Sequence, residues 1–130
     1  MLFQPGYTYE TKNIVKSFLG TMKADGFFEA ESETEYGGYI KVAGKKRPLH
    51  DCKLIDGKYY DYSFDVLGYT VTIHAHMEED GEIIGEAVVD GKTPMPCPGG
   101  VVRRTEKATG EVFVDFHWPN REKYNWRQPM

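Results

Sequence analysis

The sequence predicts a mainly β protein: an antiparallel up-and-down barrel of about seven to eight strands with one short N-terminal α-helix. Three observations carry this. From Tyr60 to Val66, Tyr60, Tyr62, Phe64 and Val66 alternate with Asp61, Ser63 and Asp65, and after Gly68 the alternation resumes with Val71, Ile73, Ala75 and Met77 against Thr70, Thr72, His74 and His76. Successive side chains leave opposite faces of a pleat, so period two marks a half-buried strand. Short polar breaks holding Gly separate the runs, Asp56-Gly57 and Asp90-Gly91 above all, and these suit hairpin turns. Finally, no helices recur between the strands, as a parallel sheet would require. About eight strands close into a barrel whose interior takes side chains or one small ligand, and closure leaves no exposed edge.

Taken in order, Met1 to Tyr9 is aromatic and broken by Pro5-Gly6, and reads as an arm across the fold. Thr11 to Met22 is the one helical pattern: Ile14, Val15, Phe18, Leu19 and Met22 share a face, Thr11 caps the start and Asp25-Gly26 ends it. Strand-like runs follow at Phe27–Glu33, Tyr36–Ala43 and Lys46–Ile55, then the two central strands and Glu82–Val89. Pro94, Pro96 and Pro98 make 93–100 a loop or broken edge, since proline gives no ladder donor. Val101–Thr105 and Glu111–Trp118 finish the set. The whole is one domain over 1–130, with arm and helix in 1–25, the barrel in 27–118 and a polar tail in 119–130.

A chain of 130 residues, 40% hydrophobic and 28% charged, can bury a single core without disulfides or metals. The net charge of -4 is spread along the chain and gives no footprint for nucleic acid. Two cysteines, Cys52 and Cys97, are too few for a secreted disulfide scaffold. No stretch reads as a signal peptide or a membrane span, so the expectation is a cytoplasmic protein with free thiols, Cys52 buried and Cys97 exposed. Aromatic residues make up 14% of the chain. Rings in such surplus fill a core or line a pocket.

Two candidate sites follow from the alternation. On the apolar face, Tyr60, Tyr62, Phe64, Met77, Phe116 and Trp118 line an interior site for a small apolar molecule, with Tyr hydroxyls and indole N–H groups as polar handles. On the opposite face, His74 and His76 stand two apart on one strand, about 7 Å from each other. With His117, Asp115 or His50 they would suit a divalent transition metal; otherwise they are solvent-facing side chains and no cofactor is needed. Cys52 beside His50, and Asp61 with Asp65, offer nucleophilic and acid–base alternatives against a bland reading as buried thiol and solvated carboxylates.

Residues Lys58 to Phe116, with the strand ending in Gly68, the Asp80-Gly81-Glu82-Ile83-Ile84-Gly85 turn and strand, and Gly91…Pro94-Met95, resemble the small lipocalin-like, or calycin-like, barrels. That resemblance implies a cup for a small apolar molecule. Trp118 and Trp126 lie at the wrong end for the Gly-x-Trp motif of true lipocalins. Gly68 followed by His74-Ala75-His76 and an acidic residue resembles the first cupin motif, which implies a metal inside a barrel; Arg103 stands where the second motif has histidine. The functional expectations are three: a small-molecule binding protein, a small barrel enzyme (metal-dependent through His74 and His76, or a cofactor-free isomerase, cyclase or lyase using Tyr and His), and a subunit-interaction module forming a homodimer. Neither nucleic acid nor membrane is an expected partner.

Overall fold

The computed structural model of the protein describes residues 2–17 and 20–114. Strands β1 (Tyr7–Ser17), β2 (Gly20–Ala30), β3 (Tyr36–Val42) and β4 (Lys45–Pro48) form one antiparallel meander. A second comprises β5 (His50–Ile55), β6 (Tyr59–Val66), β7 (Tyr69–Met77), β8 (Glu82–Val89) and β10 (Gly99–Glu106). Pairing of β1 with β10 joins them in the order β4-β3-β2-β1-β10-β8-β7-β6-β5. The short β9 (Met95–Pro96) lies on β8, and β11 (Val112–Val114) lies on β10.

Only Leu49 separates β4 from β5, so one length of chain pairs β3 before the bend and β6 after it. The two ends of the sheet therefore meet through the chain itself, and the result is a nearly closed antiparallel barrel. Leu49 N–H donates to the Gly38 carbonyl at 3.1 Å. The Tyr36 hydroxyl on β3 reaches the carbonyls of Lys53 and Asp61 at 3.1 and 2.8 Å, spanning the gap. Among the described residues eleven strands exceed the expected seven to eight, because β1 stands where the helix was expected, the 46–55 run divides at Leu49 and β9 forms among the prolines.

The expected N-terminal helix is corrected: Thr11 to Ser17 belongs to β1 and Gly20 to Met22 to β2, and no helix occurs among the described residues. Tyr9, Thr11, Asn13 and Val15 all point inward and are buried, while Glu10 and Lys12 on the other face are part-exposed. Thr11 and Asn13 are polar, which hid the alternation. Their side chains satisfy each other inside, the Thr11 hydroxyl donating to Asn13 Oδ1 at 3.0 Å. Thr, Asn, Ile, Val and Ser are middling helix formers that sit comfortably in a ten-rung pairing with β2. Phe18 and Leu19 lie outside the described residues. Asp25-Gly26, expected as a helix stop, sits within β2, and Lys12 pairs with Asp25 at 2.9 Å.

Both Asp-Gly turns form as expected, with φ of 54° and 63° at Asp56-Gly57 and 50° and 72° at Asp90-Gly91. Positive φ at both central residues matches the twist of the flanking strands. The core is one cluster running from Phe3 to Val101. Along β7, Val71, Ile73, Ala75 and Met77 are buried, whereas Thr70, Thr72 and His74 are exposed. Cys97, expected exposed, is instead buried: its N–H donates to the Gly85 carbonyl at 2.8 Å as the proline segment folds onto β8. Arg104 is held between the Tyr7 and Phe113 rings, at 5.0 and 4.5 Å, which ties β11 to the wall.

Candidate functional site

Period two turns Tyr60, Tyr62 and Phe64 of β6 and Met77 of β7 inward, and all four are at most 5% exposed. Tyr60, Tyr62 and Met77 border one void with Phe3, Phe28 and Ile83, and Phe64 packs in the same cluster. That void is ≈ 10 Å³, room for about one water. What fills the space is Phe3, from the segment before β1. Its ring lies 4.6 Å from Tyr60, 4.8 Å from Tyr9, 4.9 Å from Phe28 and 6.5 Å from Tyr36. Two phenols hold the segment: Phe3 N–H donates to Tyr60 Oη at 2.6 Å and Gln4 N–H to Tyr9 Oη at 2.9 Å. Burial pushes Tyr60 up to about 12 and raises Tyr9, Tyr36 and Tyr62 as well. These phenols therefore stay neutral near pH 7 and act as hydrogen-bonding groups, not as proton acceptors in the anionic form.

On the outer face, β6, β7 and β8 carry an open groove of ≈ 660 Å³, floored by Tyr59, His74, His76, Ile84 and Glu86 and walled by Pro94, Met95 and Pro96. Strand register builds it in two rows: Asp61, His74 and Glu86 face one another across three strands, and His76 faces Ile84 beside them. Tyr59 stacks on His74 at 4.5 Å and 15°, and meets His76 edge-on at 5.4 Å. Asp61 Oδ1 lies 2.5 Å from His74 Nδ1, and Glu78 Oε1 lies 3.3 Å from His76 Nε2. A carboxylate only accepts, so Asp61 fixes the proton on Nδ1 and leaves Nε2 as the basic nitrogen, the arrangement of a general base. Among the described residues the groove lining holds no Ser, Thr or Cys that such a base would activate.

The metal alternative finds two of its residues together and no third: among the described residues no three His, Cys, Asp or Glu side chains are grouped as ligands. His117, with Asp115, lies outside the described residues, as do Phe116 and Trp118 of the expected interior site. His50 is apart from both sites, bridging Asp51 at 2.7 Å and Asp65 at 3.2 Å. Cys52 is half-buried with its pKa raised by burial, and burial pushes Cys97 up to about 12, so neither thiol is activated.

Sequence reasoning missed Phe3, Tyr9 and Tyr36 inside and Tyr59 outside. Tyr59 had a usable signal, because it shares the odd-numbered face of β6 with Asp61. Phe3 had none, since nothing local tells an arm that it will enter a barrel. Among the described residues no helix is long and apolar enough to cross a membrane. Compared with protein-family models, curated proteins and solved structures, the chain matches none.

Proposed function

We propose that the barrel binds a small apolar, aromatic molecule on its inward Tyr- and Phe-rich face, as a lipocalin-like cup does, and that Phe3 takes the seat when no ligand is present. One observation carries the reading: the ring at the centre comes from a segment outside the sheet, while the strands around it already form a nearly closed wall. A ring-shaped seat with two inward phenol oxygens has the make-up of a ligand pocket, apolar with a few placed polar groups. The phenols now accept two backbone N–H groups of the arm. A ligand would supply its own donors in their place.

The test is a titration with phenol and toluene, followed by amide hydrogen exchange. Binding to the wild type should speed exchange at Phe3 and Gln4. Phe3→Ala should tighten binding by at least about tenfold, because burying a Phe ring is worth about 1.5–3 kcal/mol and the ligand no longer competes with it. Binding by neither protein, or binding that leaves the Phe3 and Gln4 amides protected, overturns the reading.

A further inference from the structure

The outer groove has a chemistry of its own, independent of the interior. Its floor is a run of rings, Tyr59 stacked on His74 and edge-on to His76, with the apolar edges of Met95 and the two flanking prolines opposite. One carboxylate, Glu86, is exposed in the middle of it and makes no ion pair or hydrogen bond among the described residues. Asp61 and Glu78 are close by but occupied by the two imidazoles. Among the described residues no Lys or Arg lines the groove. Lys58 stands at the rim, its Nζ 5.2 Å from the Tyr59 ring centroid, and Lys53 on β5 pairs in register with Asp61, on the far side of it from His74. Three carboxylates against two ammoniums leave the surroundings acidic, and a ring that already attracts Lys58 presents an electron-rich face.

We propose that this groove is a binding site for a planar organic cation of the amidinium or guanidinium type. A flat, delocalised cation is weakly hydrated, lies against ring and thioether surfaces, and pairs two N–H groups with a carboxylate in one plane. Those are the three surfaces on offer: rings below, Met95 and the prolines at the side, Glu86 facing in. A neutral ring would gain the apolar contacts only, and an anion would meet Glu86 and Asp61. A compact ammonium would find one acceptor and keep most of its hydration.

The probe is benzamidine, with benzyl alcohol and benzoate as neutral and anionic counterparts, titrated into the full chain and mapped by amide chemical shifts. Benzamidine should move the signals of Tyr59, His74, His76 and Ile84 to Glu86, and it should bind about tenfold or more tightly than either counterpart, the margin of one charge-assisted pair. Glu86 is exposed, so Glu86→Gln keeps the fold, which its own spectrum verifies; it should erase the preference for the cation. Lys58→Ala removes the competing cation and should tighten benzamidine binding. Three probes binding alike, shifts confined to the interior residues, no binding of benzamidine at millimolar concentration, or a preference untouched by Glu86→Gln would each overturn the proposal.

Discussion

At Gly26 a β-carbon would collide with Thr11 Oγ1 and come within 2.6 Å of Phe28 Cε2 and 3.2 Å of Ile40 Cδ1. Phe28 is part of the interior ring cluster, so the missing side chain lets β1 and β2 approach and the ring seat itself. Gly26→Ala should cost about 1–3 kcal/mol as the core strains to fit it, read as a lower urea midpoint at unchanged slope. Leu67 poses the opposite case. It holds φ at 52° in the β6–β7 turn, is 68% exposed and is followed by Gly68 at φ 81°. A branched apolar residue is a poor occupant of that conformation, and Asn is the usual one. Leu67→Asn should stabilise the fold by about 0.5–1 kcal/mol, since it relieves backbone strain and removes no buried contact; an unchanged or lower midpoint would refute it.

Elements were legible in proportion to how cleanly their two faces differ. In β6 and β7 aromatic and aliphatic residues alternate with Asp, Thr and His, so register, inward face and flanking turn could be read directly. In β1 the inward row includes Thr11 and Asn13, and hydrophobicity alone cannot see that a pair of polar side chains will satisfy each other inside. Helical spacing then won by default. The bend in the 45–55 run was equally hidden, because it rests on partners far apart in sequence. His50, just past it, lies between Asp51 of its own strand and Asp65 of β6. Asp51 and then Asp65 raise the His50 pKa above its ordinary 6.5, and the Thr70 hydroxyl and then His50 lower that of Asp65 below 3.8. The imidazolium's contribution is complete below about 6.5 and fades as pH rises through its raised folded value; the carboxylate's is complete above about 3.8 and fades as pH falls through its lowered one. The stability difference between wild type and His50→Gln should therefore be widest between about pH 4 and 6.5 and shrink toward pH 8. A difference flat across that range would remove the bridge from the fold's energetics.

For the molecule as a whole, aromatic surplus was a correct sign of an aromatic interior and an insufficient sign of its volume. The same rings line an open cup or pack a closed one, and here the Phe3 segment decides by lying among them. Barrel closure raises a similar question, because the ends of the sheet meet across a bend and not through a continuous ladder. Tyr36 is the side chain placed to hold that gap. Its ring packs edge-on against Tyr60 at 4.8 Å, and its hydroxyl touches one carbonyl on β5 and one on β6. Tyr36→Phe keeps the ring, its burial and its packing, and deletes only the hydroxyl. Loss of one buried hydrogen-bonding group should cost about 1–2 kcal/mol. If the hydroxyl secures closure, amide exchange should quicken mainly in β4 and β5 and hardly in β7 and β8, since opening would start where the ladder is interrupted. Uniform acceleration across all strands would mean that Tyr36 supports the core in general. No acceleration at all would mean that the bend at Leu49 holds the barrel shut by chain connectivity alone.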